Sequence, residues 1–155
     1  MTDTRESRTS ASGYEDTPIS IVERDPLAAD LTPDEREVLL NHGTERAFCG
    51  TLLNNKEHGV YACRLCGLPL FNSNYKFESG TGWPSFSAPF DPDHVREIDD
   101  DSHGMTRIEI RCARCESHLG HVFDDGPSPT FQRYCLNSVA MEFYDSPGAI
   151  PPRLG

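Results

Sequence analysis

Two C-x-x-C units, Cys63-Arg-Leu-Cys66 and Cys112-Ala-Arg-Cys115, constrain this chain more than any other feature. Each forms a tight turn that aims two thiolates at one ion. Two such turns supply four soft ligands, which suit tetrahedral zinc. The 45 residues between them (67–111) exceed the spacing of a simple ribbon finger, so a sheet rather than the local chain must bring the turns together. A four-cysteine shell has no vacant position. One zinc ion held there is structural, and its binding is coupled to folding. Two redox-active pairs are an alternative use of the same cysteines, but a thioredoxin-like pair wants a strand–helix context and these units run from strands into turns. An iron centre is the third reading.

The rest of the composition narrows the class. The chain has 155 residues, with 14 Lys and Arg against 25 Asp and Glu, a formal charge of −11. This length fits one domain with a real core. An acidic chain lacks the basic face that neutralises phosphates, which excludes a nucleic-acid binder and an anionic membrane surface. No apolar run approaches the roughly 20 residues of a membrane-spanning helix. The opening Met1-Thr-Asp-Thr-Arg-Glu-Ser has no apolar stretch behind a positive region and carries acids early, unlike a secretory signal or an organelle transit peptide. The expectation is a cytoplasmic protein. Its six cysteines are then metal ligands, buried thiols or catalytic thiols, not structural disulfides.

Residues 1–20 are rich in Ser and Thr and poor in large apolar residues, the composition of a disordered tail. In Leu31-Thr-Pro-Asp-Glu-Arg-Glu-Val-Leu-Leu, Thr32 is a helix N-cap, Pro33 takes the first helical position, Glu35 completes a capping box, and Gly43 marks a stop. Short strands follow: Gly59-Val-Tyr-Ala-Cys, then Thr106-Arg-Ile-Glu-Ile-Arg-Cys with Ile108 and Ile110 on one face, then Arg133 to Tyr144 as one long strand. Gly80-Thr-Gly, Asp125-Gly-Pro and Ser146-Pro-Gly mark turns. Asp91–Asp101 holds six acids and one Arg and reads as a solvated loop. Residues 146–155 form a loose C-terminal tail. The class is mainly β and antiparallel, with a helical N-terminal arm.

Four ligands leave Cys49 and Cys135. Either can be a buried small hydrophobe. Cys135 has company: strand alternation puts Arg133, Cys135 and Asn137 on one face, and a neighbouring cation favours the nucleophilic thiolate. His118-Leu-Gly-His121-Val-Phe123 places two imidazoles just after the second C-x-x-C turn. They are packed histidines, ligands of a catalytic zinc, or the acid–base partners of an attacking cysteine. Gly80-Thr-Gly82 precedes Trp83, which is either core or an indole projected by a loop.

Taken together, these pieces resemble the B-type methionine sulfoxide reductases in their zinc-containing form, from about Leu31 to Tyr144. The resemblance is carried by Gly80-Thr-Gly-Trp-Pro-Ser-Phe86, Ser102-His-Gly-Met105, Arg107-Ile-Glu-Ile-Arg-Cys112, Ser117-His-Leu-Gly-His-Val-Phe123, Asp125-Gly-Pro127 and Arg133-Tyr-Cys-Leu-Asn-Ser138. It implies two antiparallel sheets, a zinc site remote from the active site, and a reductase domain over 21–145 that acts on the R epimer of methionine sulfoxide, free or in oxidised proteins. By the same resemblance Cys135 is the attacking cysteine, His118 and His121 orient or protonate the sulfoxide oxygen, and Asn137 is a supporting amide. Trp83 packs against the substrate methyl group, Phe123 completes that wall, Arg133 favours the thiolate, and thioredoxin is the reductant of a monomeric enzyme.

Many family members carry a resolving cysteine where this chain has Thr81. Here Cys49 is the remaining candidate, and direct reduction of the sulfenic acid by thioredoxin is its rival. A disulfide needs Cα atoms roughly 4.4–6.8 Å apart, so Cys49 needs a loop shift to reach Cys135. The competing class is a non-enzymatic, zinc-scaffolded binding module, which the C-x-x-C units alone would suit and which has no use for a Cys135 with polar neighbours.

Overall fold

The computed structural model describes residues 9–14, 17–29, 31–41, 43–48, 50–101, 104, 106–146, 148 and 150. Among them two short helices, α1 (Ile21–Ala28) and α2 (Pro33–Leu39), precede β1 (Val60–Cys63), β2 (Pro69–Asn72), β3 (Lys76–Phe77), β4 (Ser85–Phe86), β5 (Val95–Asp100), β6 (Arg107–Cys112), β7 (His118–Phe123), β8 (Arg133–Leu136) and β9 (Met141–Tyr144). The strands form two antiparallel sheets, in the orders β2-β1-β9 and β3-β4-β8-β7-β6-β5. This is the mainly β architecture expected. No helix among the described residues is long and apolar enough to cross a membrane.

α2 forms where its signals predict. The Glu35 amide donates to Thr32 Oγ1 at 3.2 Å, and the Thr32 amide donates to Glu35 Oε1 at 3.0 Å. The helix ends at Leu39, before Gly43, whose amide reaches back to the Glu37 carbonyl at 2.8 Å. α1 was not expected, because Pro26 interrupts its pattern.

The core lies between the sheets. Phe71 stacks on Phe86 (centroids 4.7 Å apart), Tyr61 meets Phe86 edge-on at 5.0 Å, and Tyr134 lies 5.7 Å from Phe71. Pairing sets Ile108, Val122, Tyr134 and Phe86 in one row across the large sheet, on its core face. Because side chains alternate, Glu109, His121, Cys135 and Ser85 fall in the adjacent row on the opposite face. One sheet thus has an aromatic core on one side and its polar chemistry on the other.

Two segments differ from expectation. Asp91–Asp101 is not a loop: Pro92–His94 is a 3-10 turn and β5 follows it. Its charge is tolerated because β5 is an edge strand, paired along its whole length with β6 and partly open to water, where acids discourage further pairing. Arg133–Tyr144 is not one strand. Asn137 ends β8, Ser138–Ala140 makes a 3-10 turn, and β9 joins the other sheet. The break follows from Asn137, whose side chain takes backbone partners outside the ladder.

Part of the stretch expected to be disordered is seated on the body. The Ser12 amide donates to Asp91 Oδ2 (2.8 Å), the Ala11 amide to Asp93 Oδ2 (3.0 Å), and the Ile19 amide to the Arg114 carbonyl (2.8 Å). Ser10 Oγ lies 2.7 Å from Nε2 of His94, which is fully buried. The small polar residues that gave this stretch its disordered composition here find fixed partners. Residues 1–8 and 151–155 lie outside the described residues.

Candidate active site

The two C-x-x-C turns converge. Sγ atoms of Cys63, Cys66, Cys112 and Cys115 all lie within 4.8 Å of one another, and all four side chains are buried. Cys63 and Cys115 are 3.5 Å apart, as are Cys66 and Cys112. A tetrahedral zinc with Zn–S bonds of about 2.3 Å sets sulfurs roughly 3.8 Å apart, so the donor set fits a metal ion. Both turns close alike: the Gly67 amide bonds to the Cys63 carbonyl at 2.8 Å and the Glu116 amide to the Cys112 carbonyl at 3.0 Å. The residue after each second cysteine has positive φ, Gly67 at 82° and Glu116 at 64°. Glycine takes that conformation without the Cβ strain that Glu116 bears. Hydrogen bonding to Cys112 and its neighbours pushes the Cys66 thiol well up, and burial does the same to Cys112. Cys115 goes the other way: despite its burial, hydrogen bonds with the other three sulfurs and Ser117 hold it well below its ordinary value, so the four sulfurs do not ionise together without a cation. Arg64 links this centre to the far end of the chain, donating through Nε to the Val139 carbonyl (2.6 Å) and through Nη2 to that of Met141 (3.0 Å).

On the polar face of the large sheet, Cys135 lines a cleft of about 290 Å³ with Thr44, Thr81, Trp83, Arg107, His121, Phe123, Arg133 and Asn137. β8 sets Cys135 directly opposite His121 on β7 and Ser85 on β4. Opposed residues of an antiparallel pair hold their Cβ atoms roughly 4.5–5.5 Å apart. The β7–β8 approach needs Gly120: a Cβ there would lie 2.0 Å from the Cys135 carbonyl oxygen.

Burial pushes the Cys135 thiol above its ordinary value, opposed by the Thr81 hydroxyl and the Arg133 guanidinium. Arg133 exerts less pull than its position in sequence promised. Its Nε and Nη2 fork onto Asp125 at 2.9 and 3.1 Å, and its guanidinium covers the Phe123 ring at 4.4 Å. Much of its charge is thereby answered by a carboxylate.

The histidines are three residues apart and would point to opposite faces of a regular strand. A register shift changes this: Glu109 pairs with His121, yet Arg111 pairs with His118. Leu119 is the extra residue of a bulge, and both imidazoles emerge on one face, ring centroids 5.5 Å apart. Nδ1 of His118 lies 2.7 Å from Glu109 Oε2, and Nε2 of His121 lies 2.8 Å from Asp100 Oδ2. His118 lines an adjoining polar hollow with His121, Asp100 and Glu109 rather than the cleft of Cys135.

Asn137 is buried. Its Nδ2 donates to the Leu119 carbonyl (3.0 Å) and its Oδ1 accepts from the Glu45 amide (2.9 Å). Trp83 is half-buried, and its indole N–H donates to the Glu45 carbonyl at 3.0 Å. Glu45, absent from the sequence reading, therefore ties Trp83 to Asn137 and caps the Val139 amide through Oε1 at 3.1 Å. Asp100, Glu109 and Asp125 were also missed as neighbours of the site. For Glu109 a signal existed, since alternation puts it on the face of Arg107 and Arg111. Asp100 was hidden by the loop assignment. Cys49 lies outside the described residues.

Similarity to known proteins identifies the family. The SelR domain family model matches residues 31–145. The chain is 59% identical over 145 residues to a peptide methionine sulfoxide reductase MsrB of Caulobacter vibrioides (strain NA1000 / CB15N), covering 94% of this chain and 91% of the relative. It is 57% identical to that of Xylella fastidiosa (strain M23) over 89% of both chains. It is 58% identical to that of Methanosarcina mazei over 73% of this chain and 81% of the relative. The chain therefore belongs to the SelR-domain family, that of the MsrB peptide methionine sulfoxide reductases, and is an oxidoreductase.

Proposed function

We propose that the protein reduces the R epimer of methionine sulfoxide, free or in oxidised proteins, with Cys135 as the nucleophile. The observation that carries this is the direct opposition of Cys135 and His121 across β7 and β8, in a cleft walled by Trp83 and Phe123. A sulfoxide oxygen leaves poorly until protonated. His121, held by Asp100, orients that oxygen from within the cleft, and His118, held by Glu109 with its ring 5.5 Å from that of His121, joins it from the adjoining hollow in delivering the proton. The Cys135 sulfur attacks the substrate sulfur and takes up its oxygen. Methionine leaves with the electron pair, and Cys135 is oxidised to sulfenic acid. Trp83 and Phe123 hold the methyl group while the oxygen meets the imidazoles, which selects one epimer. Asn137 supports the site through the Leu119 carbonyl, and Arg133 stabilises the thiolate.

Cys49 then condenses with the sulfenic acid, releasing water and forming a disulfide, which the dithiol of thioredoxin reduces by exchange. Zinc is the ion that Cys63, Cys66, Cys112 and Cys115 would hold, and it would clamp the two turns rather than touch substrate. The reductase unit spans 21–145 and works as a cytoplasmic monomer, a compartment consistent with cysteines assigned as ligands and reactive thiols.

The test is a thioredoxin-coupled assay on separated R and S epimers, with Cys135→Ser as control. Turnover of the R epimer alone, lost in the variant, is the expected result. Equal turnover of both epimers rejects the assignment. For resolution, Cys49→Ser should keep its first turnover and lose thioredoxin-driven cycling; unimpaired cycling would remove Cys49 from the mechanism.

A further inference from the structure

The sulfur of Cys135 meets one end of a chain of hydroxyls. Thr81 Oγ1 lies 3.9 Å from Cys135 Sγ, Ser79 Oγ lies 2.8 Å from Thr81 Oγ1, and Ser85 Oγ lies 2.7 Å from Ser79 Oγ. Ser85 Oγ donates to the Trp83 carbonyl at 3.2 Å. Ser85 is almost fully buried and directly opposes Cys135 across the β4–β8 pair.

Hydrogen bookkeeping gives this chain a direction. A carbonyl oxygen only accepts, so Ser85 spends its O–H on Trp83 and accepts from Ser79. Ser79 accepts from Thr81, and Thr81 accepts from the Cys135 S–H. Four hydrogens meet four acceptors. When Cys135 loses its proton, Thr81 turns its O–H onto the sulfur and Ser79 turns its own onto Thr81. Ser85 turns onto Ser79 and releases the Trp83 carbonyl. Three rotors move and no heavy atom needs to.

We propose that Thr81, with Ser79 and Ser85 as positioning residues behind it, is a switchable hydroxyl donor that stabilises the Cys135 thiolate. This rests on Cys135 being the attacking sulfur.

The charged and titratable groups facing Cys135 are His121 from β7, Arg107 from β6, Arg133 from its own strand and Glu45 from the 44–48 segment. Arg133 is forked onto Asp125 and reaches the sulfur as well, but a guanidinium only donates and cannot accept from the thiol; His121 is held by Asp100, and Glu45 opposes a negative sulfur. A neutral hydroxyl that can reverse its bond supplies what these groups do not: a donor to the thiolate that is equally an acceptor from the thiol. Its contact of 3.9 Å is long, as hydrogen bonds of catalytic groups often are before substrate is bound. The Thr81 hydroxyl opposes burial at Cys135, alongside the charge and hydrogen bond of Arg133.

A self-bonded serine turn with no bearing on the thiol makes a different prediction, and the pH profile separates the two. The full chain, loaded with zinc, is alkylated with iodoacetamide across the pH range, and the Cys135 peptide is followed by mass spectrometry so that other cysteines do not interfere. Thr81→Val removes the hydroxyl and keeps the shape. Its midpoint should rise by about one pH unit, roughly a tenfold loss of thiolate at fixed pH below it. Ser79→Ala should move the midpoint the same way by less, and Thr81→Ser should restore the wild-type profile. An unmoved midpoint in Thr81→Val overturns the proposal, as does a Thr81→Ser profile shifted as far as that of valine. If Thr81→Val does not fold, the Ser79→Ala midpoint decides. A Cys135→Ser enzyme that still turns over rejects the proposed function itself, whereas an inactive Cys135→Ser beside an unmoved Thr81→Val rejects only the hydroxyl donor.

Discussion

Adding one methyl group at Gly120 tests whether the site depends on the spacing of two strands. A Cβ at this position would lie 2.0 Å from the Cys135 carbonyl oxygen and 2.9 Å from Leu136 Cα. Separations below 3.0 Å are essentially never seen, so the first contact must open by at least 1.0 Å (3.0 − 2.0). The obstacle is backbone, and β8 is held on its far side by β4. Neither a rotamer change nor a flexible side chain can absorb the shift. Overpacking of this kind costs about 1–3 kcal/mol. At roughly 2–4 °C per kcal/mol for a chain of this size, the melting temperature should fall by about 2–12 °C. The effect on rate is larger. The same opening separates His121 from Cys135, the next pair along the ladder, and a misplacement of about 1 Å costs on the order of 100-fold. The assay pairs a thermal melt with single-turnover reduction of the R epimer, and metal analysis confirms that the Cys63–Cys115 centre is still loaded. Gly120→Ala with a wild-type single-turnover rate would refute the claim that strand spacing sets the geometry of the site.

Asn137→Ala leaves the Leu119 carbonyl and the Glu45 amide without their side-chain partner; it should cost about 2–4 kcal/mol in urea denaturation, and a loss below about 0.5 kcal/mol would show that water replaces the amide freely. Stripping any bound metal with a chelator should abolish the cooperative melt, since the four-sulfur centre joins the β1–β2 turn to the β6–β7 turn; a metal-free chain that melts as before contradicts a structural role. Burial raises the Cys135 thiol, so the thiol form dominates below its raised value and the thiolate fraction grows with pH. The rate of Cys135 alkylation by iodoacetamide, which follows the thiolate alone, should therefore climb about tenfold per pH unit on the alkaline side of neutrality until the thiol is titrated, and a flat alkylation profile from about pH 6 to about pH 9 would mean that the thiol is already ionised.

Features written in short-range code were legible in the sequence. Thr32, Pro33 and Glu35 specify the start of α2 through bonds spanning three residues. The two C-x-x-C units specify their turns, and alternation over 107–112 specifies β6 and its buried Ile110. What failed depended on partners distant in the chain. The acids of 91–101 look like a solvated loop until β6 is beside them. The apolar stretch through Val139 and Met141 reads as a continuation of β8 until Asn137 finds Leu119 and Glu45. Of the candidate site residues, Cys135, Trp83, Phe123, Arg133 and Asn137 share the cleft with His121. Glu45, Asp100 and Asp125 stayed hidden because each acts through a side chain named for other reasons.

The placement of His118 illustrates why the limit is physical. Periodicity assigns faces by counting in twos, and His118 to His121 is a count of three. Without the bulge, one of the two imidazoles would enter the core among Phe86, Tyr134 and Leu136, a cluster with no carboxylate among the described residues. The extra residue, Leu119, is fully buried, so its side chain fills that core position while its carbonyl accepts from both the backbone and the side-chain amide of Asn137. The irregularity is thus fixed from outside the strand that carries it. Asn137 lies eighteen residues further on, and no local pattern at 118–121 could announce it. The same residue that ends β8 and sends the chain into the second sheet also holds the bulge that puts two histidines on one face. Fold and candidate site are specified here by a single side chain, which is why truncating Asn137 should disturb both together.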